Sequence, residues 1–84
     1  MQNGVDVMII TVQRTSRGLN LNSHHPKFRQ YVNVNRNKIA RYHVYNYTGN
    51  DIYCYDNELF SLMEILTEYF NKVEDEAVMF DVES

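Results

Sequence analysis

The sequence predicts an α+β domain: a three- to five-stranded, mostly antiparallel sheet with one C-terminal helix packed across a face. Three observations carry this. Short runs of β-branched and aromatic residues, separated by turn-forming residues, fill positions 5–55. Apolar residues then recur with helical spacing over 59–73. The chain has 84 residues, 44% hydrophobic and 23% charged, which suits one modest core rather than disorder or two domains.

Val5 to Gln13 reads as the first strand. Its Met8-Ile9-Ile10 run is apolar on both faces, which suggests a central position in the sheet. Arg14-Thr15-Ser16-Arg17-Gly18 is a turn, with Gly18 available for positive φ. Leu19-Asn20-Leu21-Asn22 alternates as a short strand, and Ser23-His24-His25-Pro26-Lys27 breaks it. Phe28 to Asn35 reads as a third extended run, with Val32 and Val34 on one face, and Asn35-Arg36-Asn37-Lys38 as a turn. Ile39 to Tyr47, rich in Tyr and Val, is the best strand pattern in the chain. Thr48-Gly49-Asn50 makes a hairpin loop and Asp51 to Tyr55 returns.

Asp56 or Asn57 supplies an N-cap for the helix. Its apolar residues (Leu59, Leu62, Met63, Ile65, Leu66, Tyr69, Phe70, Val73) span an arc of roughly 160°. Phe60 falls outside that arc, among Glu64, Thr67 and Asn71. Residues 74–84 alternate acidic and apolar side chains, the pattern of an edge strand or of an interaction tail.

The longest apolar run, Val7 to Ile10, is too short to span a bilayer, and Met1-Gln2-Asn3-Gly4 has no basic n-region, so neither a membrane nor an export leader is expected. The single cysteine, Cys54, excludes a disulfide within the chain and fits a reducing cytoplasm. Stability must then come from packing, to which a homodimer or a bound partner would add.

Chemistry is sparsely provided for. His24, His25, His43 and Cys54 lack the spacing of a zinc site. Cys54, between Tyr53 and Tyr55, has no neighbour in sequence to activate it and reads as a half-buried packing thiol. No nucleophile elbow or glycine-rich phosphate loop is present. The expectation is a protein without an enzymatic activity and without a cofactor.

Charge is divided along the chain. Residues 1–50 carry seven cations (Arg14, Arg17, Lys27, Arg29, Arg36, Lys38, Arg41) against Asp6. Residues 51–84 carry ten acids against Lys72. Such asymmetry points to charged partners, unless the two halves neutralise each other within the fold. Two surfaces follow.

The first is acidic. Phe60, Glu64, Glu68, Glu74, Asp75, Glu76, Phe80 and Asp81 would form carboxylates around apolar anchors, able to dock on a partner protein with a basic surface and compete with phosphates there. The second is a basic, Tyr-rich sheet face. With a three-residue hairpin loop, Tyr45 pairs with Tyr53 and His43 with Tyr55. Arg41, His43, Tyr45, Tyr47, Tyr53 and Tyr55 then share a face, near Arg29, Arg36 and Lys38, and could stack single-stranded nucleic acid. The competing arrangement is a Tyr-rich strand pair covered by the helix.

The leading expectation is a small interaction protein that inhibits a nucleic-acid-handling partner through its acidic C-terminal third. Its ten Asn, seven Tyr and two Ala fit AT-rich phage or mobile-element coding.

Overall fold

The computed structural model describes residues 7–41 and 46–83. Strands β1 (Val7–Arg14) and β2 (Leu19–Asn22) come first. Helices α1 (Pro26–Val34) and α2 (Arg36–Ala40) follow, then strands β3 (Asn46–Thr48) and β4 (Asp51–Cys54). A 3-10 turn (Asp56–Glu58) leads into α3 (Leu59–Lys72), and β5 (Ala77–Val82) follows it. The sheet order is β3-β4-β2-β1-β5. Three neighbouring pairs are antiparallel and β1 with β5 is parallel. This is the α+β architecture the sequence predicts, with β5 as an edge strand.

The core lies on one face of the sheet. Met8, Ile10 and Val12 of β1, Leu21 of β2, and Ile52 and Cys54 of β4 meet Phe28, Tyr31, Val32, Ile39, Leu62, Leu66 and Phe70 of the helices. Each large apolar side chain buried this way is worth about 1.5–3 kcal/mol. The period of two puts alternate residues on the other face, which no described helix covers. Ile9 is 47% exposed there and Val7 43%. β1 holds the central position that Met8-Ile9-Ile10 suggests, between β2 and β5, but only one of its two faces is covered. Asn20 and Asn22 fill this face instead, both donating to Asp51 Oδ1, at 3.2 and 2.6 Å.

Residues 28–38 depart from the expected extended run and turn, and Ile39 and Ala40 from the start of the strand expected over 39–47, because α1 and α2 are helical there. Of that strand, Asn46 and Tyr47 lie in β3, and residues 42–45 are outside the described residues. Pro26 is not a breaker here but sits at the start of α1, where its missing N–H costs nothing. His25 Nδ1 caps the helix by accepting the Lys27 N–H at 3.2 Å. Phe28, Tyr31 and Val32 fall at i, i+3 and i+4, so one stripe is buried, while Val34, assigned to the face of Val32, is 72% exposed. Rings tie α1 to α3: Tyr31 lies 4.7 Å from Tyr69 and 5.4 Å from Phe70, centroid to centroid.

Three local expectations also change. Gly18 has no positive φ; it is needed because any Cβ there would run into the Cys54 carbonyl. Gly49 does take φ +53°, and the hairpin closes at Thr48 and Asp51 with a two-residue turn. The helix is not capped by Asp56 or Asn57, which lie in the 3-10 turn; the Glu58 carboxylate accepts the Tyr55 N–H at 3.0 Å. Among the described residues no helix is long and apolar enough to cross a membrane.

Candidate partner-binding groove

The wide apolar stripe of α3 faces the sheet and the opposite side faces out, so Phe60 is 83% exposed. In β5 the parallel register sets Val78, Phe80 and Val82 beside Met8, Ile10 and Val12, on the helix-covered face. Phe80 therefore points up toward α3 while Phe60 points out from it. Between them lies an open groove of about 660 Å³, lined by Phe60, Met63, Glu64, Thr67, Glu68 and Phe80 with their helical neighbours. Two aromatic rings and two carboxylates thus share one concave surface. Glu68 is 3.5 Å from Lys72 in an exposed i, i+4 pair, an interaction of little strength. Glu64 has no cation within 4 Å among the described residues.

Four of the eight residues assigned to an acidic surface (Phe60, Glu64, Glu68 and Phe80) are brought together here. The other four are not. Glu74, Asp75 and Glu76 form the turn after α3, at the far end from Phe60. Glu76 is buried, with Lys27 Nζ 3.0 Å from its Oε1 and His25 Nε2 3.7 Å from its Oε2. Lys27 Nζ also lies 3.8 Å from the Glu74 carboxylate and donates to the Glu74 carbonyl. The hydrogen bond to Glu76 raises the Lys27 pKa. These two acids are consumed by the fold. Asp81 pairs in register with Thr11 and so lies on the uncovered sheet face.

The basic, aromatic surface is not assembled as expected. The two-residue turn shifts the register by one from a three-residue loop. Tyr47 then pairs with Ile52 on the core side, whereas Tyr53 pairs with Asn46 and Asn20 on the uncovered side. Tyr47 packs against the core with the Arg36 guanidinium 5.1 Å from its ring centre. Tyr55 is exposed beyond the end of β4. His43 and Tyr45 lie outside the described residues. Arg29 is on α1, Arg36 and Lys38 are on α2, and Arg41 ends that segment, so these cations are exposed on the helical layer rather than on a sheet face.

Cys54 is wholly buried rather than half-buried. Burial first, then the Glu58 and Asp56 charges, push its thiol pKa up to about 11, far from a reactive thiolate. No three His, Cys, Asp or Glu side chains converge as a metal site among the described residues.

A second concavity, of about 540 Å³, lies on the uncovered sheet face, lined by Val7, Ile9, Thr11, Gln13, His24 and Glu83 among others. Sequence reasoning did not find it. Its signal was Val7 and Ile9 sharing a strand parity with polar Thr11 and Gln13, the mark of a face left open. No family model, curated protein or solved structure matches the chain.

Proposed function

We propose that this protein is an interaction module that docks on a basic surface of a partner protein through the groove between α3 and β5. Where that surface normally holds nucleic-acid phosphates, occupation by Glu64 and Glu68 blocks it. The observation that carries this reading is the exposed Phe60 ring facing Phe80 across a groove edged by two carboxylates. An exposed aromatic contributes little to folding, and an aromatic anchor with charged neighbours is the usual composition of an interface centre. The carboxylates would steer a cationic partner and set orientation, while the rings supply the buried area.

The reading of a single-stranded nucleic-acid binder has less support, since Tyr47 and Tyr53 stand on opposite sides of the sheet.

The test is capture from a nuclease-treated lysate by the full chain, followed by titration with the purified partner. Phe60→Ala, and Glu64→Lys combined with Glu68→Lys, should each weaken the complex by about 100-fold or more. Neither should change thermal stability appreciably. Copurification of RNA that Arg36→Ala and Arg41→Ala abolish, with no protein complex surviving nuclease, would overturn the proposal.

A further inference from the structure

The groove is open on one side to the edge of the sheet, and the backbone of that edge has a definite polarity. The Glu83 N–H donates to the Val12 carbonyl at 2.9 Å. In a parallel ladder, the N–H and C=O of one residue point to the same side, and the side alternates along the strand. Residues 77, 79, 81 and 83 therefore direct their backbone groups at β1. Val78, Phe80 and Val82 direct theirs outward. β5 is the end strand among the described residues, so these outward groups face no other described strand. The register from Ala77 to Val82 runs without a bulge, and the strand contains no Lys or Pro to blunt its edge. Phe80 belongs to both features: its ring lines the groove and its backbone faces out of the sheet.

We propose that the outer edge of β5 is a strand-addition site, and that its occupant is an extended segment of the partner alternating cationic and apolar side chains. This rests on the reading of the α3–β5 groove as the docking surface. A strand laid along β5 bonds to Val78, Phe80 and Val82. Every second side chain then projects to the helix side, where Phe60, Met63 and Phe80 receive apolar groups. The intervening side chains project to the other side, beside Asp81, which has no cation within 4 Å among the described residues, and Glu83, which accepts from the Gln13 amide. Charge selects the cationic occupant over a second copy of this chain. Two β5 strands side by side would bring both sets of Asp81 and Glu83 carboxylates to one edge, which is unfavourable across a sheet.

The experiment uses the full chain and a synthetic peptide of about eight residues alternating Lys with Val or Leu. Two versions of it are N-methylated at opposite alternate positions. Amide exchange is read by NMR, and affinity by titration. In the free protein the Val78, Phe80 and Val82 amides should exchange faster than those of Met79 and Asp81. The peptide should protect those three amides. Methylation of one parity should weaken binding by about ten-fold or more, while the other parity stays within about two-fold of the parent. Val78→Pro, which removes an outward N–H and no bond to β1, should weaken binding comparably.

Equal binding of both methylated peptides, or binding without protection of the three amides, overturns strand addition. It leaves groove docking standing if Phe60→Ala still weakens the complex. Absence of saturable binding by the parent peptide also overturns strand addition, while captured-partner titration judges the groove separately. Peptide-free dimerisation abolished by Val78→Pro would assign the edge to a second copy and overturn the cationic occupant.

Discussion

The outer face of α3 and the turn that follows the helix are similarly acidic in sequence and opposite in fate. On the helix, Glu64 and Glu68 stand on an exposed face beside a groove. At the Lys72 end, the turn acids Glu74 and Glu76 are held by Lys27, 47 residues earlier than Glu74, and Glu76 is buried. The difference is that the second set joins the N-terminus of α1 to the entry of β5. There, desolvated carboxylates need a cation, and the cap residue His25 lies close by. A run of acids in a sequence is thus not one surface. Those buried or held against a cation of a distant segment hold the fold, and those on an exposed face are available to another molecule.

The comparison can be broken most sharply with two phenylalanines of the same helix. Phe70→Ala empties a fully buried site and should destabilise by about 3–5 kcal/mol, enough to unfold much of so small a domain. Phe60→Ala should stay within about 0.5 kcal/mol, as for an exposed site. Chemical denaturation of both variants checks this, and a large loss at Phe60 would make the groove a structural element.

Smaller effects separate the acids. Lys27→Met leaves the Glu76 carboxylate buried without its donor and should lower the melting temperature by several degrees. Glu68→Gln, which loses only an exposed pair with Lys72, should leave it nearly unchanged.

The alkaline limb of stability sharpens the same point. The pKa values of Lys27, Tyr69 and Cys54 are all raised: Lys27 by Glu76, and Tyr69 and Cys54 chiefly by burial. A raised native pKa adds stability that is complete below the unfolded value and is lost as pH rises through the native one. Unfolding should therefore ease from about pH 9 for Cys54, whose thiol titrates natively at about 11, and from above 10 for the other two. Cys54→Ala should remove the earliest part of this loss, and Lys27→Met the part carried by the turn. Denaturant midpoints from pH 8 to 11.5 read both, and acid-side variants in the groove should leave the profile unchanged.

The smallest effect concerns the turn backbone. Asp75 has φ +54°, a conformation glycine adopts more readily, so Asp75→Gly should stabilise the fold by about 0.5 kcal/mol. A loss instead would show that the aspartate side chain contributes to the turn.

Much of the scaffold was legible. Leu19 to Asn22 forms the predicted strand, Leu59 to Lys72 the predicted helix, and Phe60 is exposed where its place outside the apolar stripe said it would be. These are local patterns, with periods of two or 3.6 that directly decide a burial face. Residues 28–40 were misread because Tyr31, Val32 and Val34 suit strands by propensity. Only packing of Phe28 and Tyr31 against Phe70 makes the helical spacing decisive. The Tyr47/Tyr53 surface was misassigned for another reason. One residue of hairpin length exchanges the two faces of a strand, and Thr48-Gly49-Asn50 is compatible with either length.

By itself, then, the sequence determined the class of fold, the amphipathic helix, the stray aromatic ring on its outer side and the separation of charge along the chain, because each depends on neighbours a few residues apart. Tertiary structure decided which acids are spent on Lys27 and which line the groove, which side each tyrosine occupies, and that β5 lies parallel to β1 at the sheet edge. Those outcomes depend on pairing between distant segments, where a salt bridge or a strand register is chosen by the whole packed core rather than by any local run of residues.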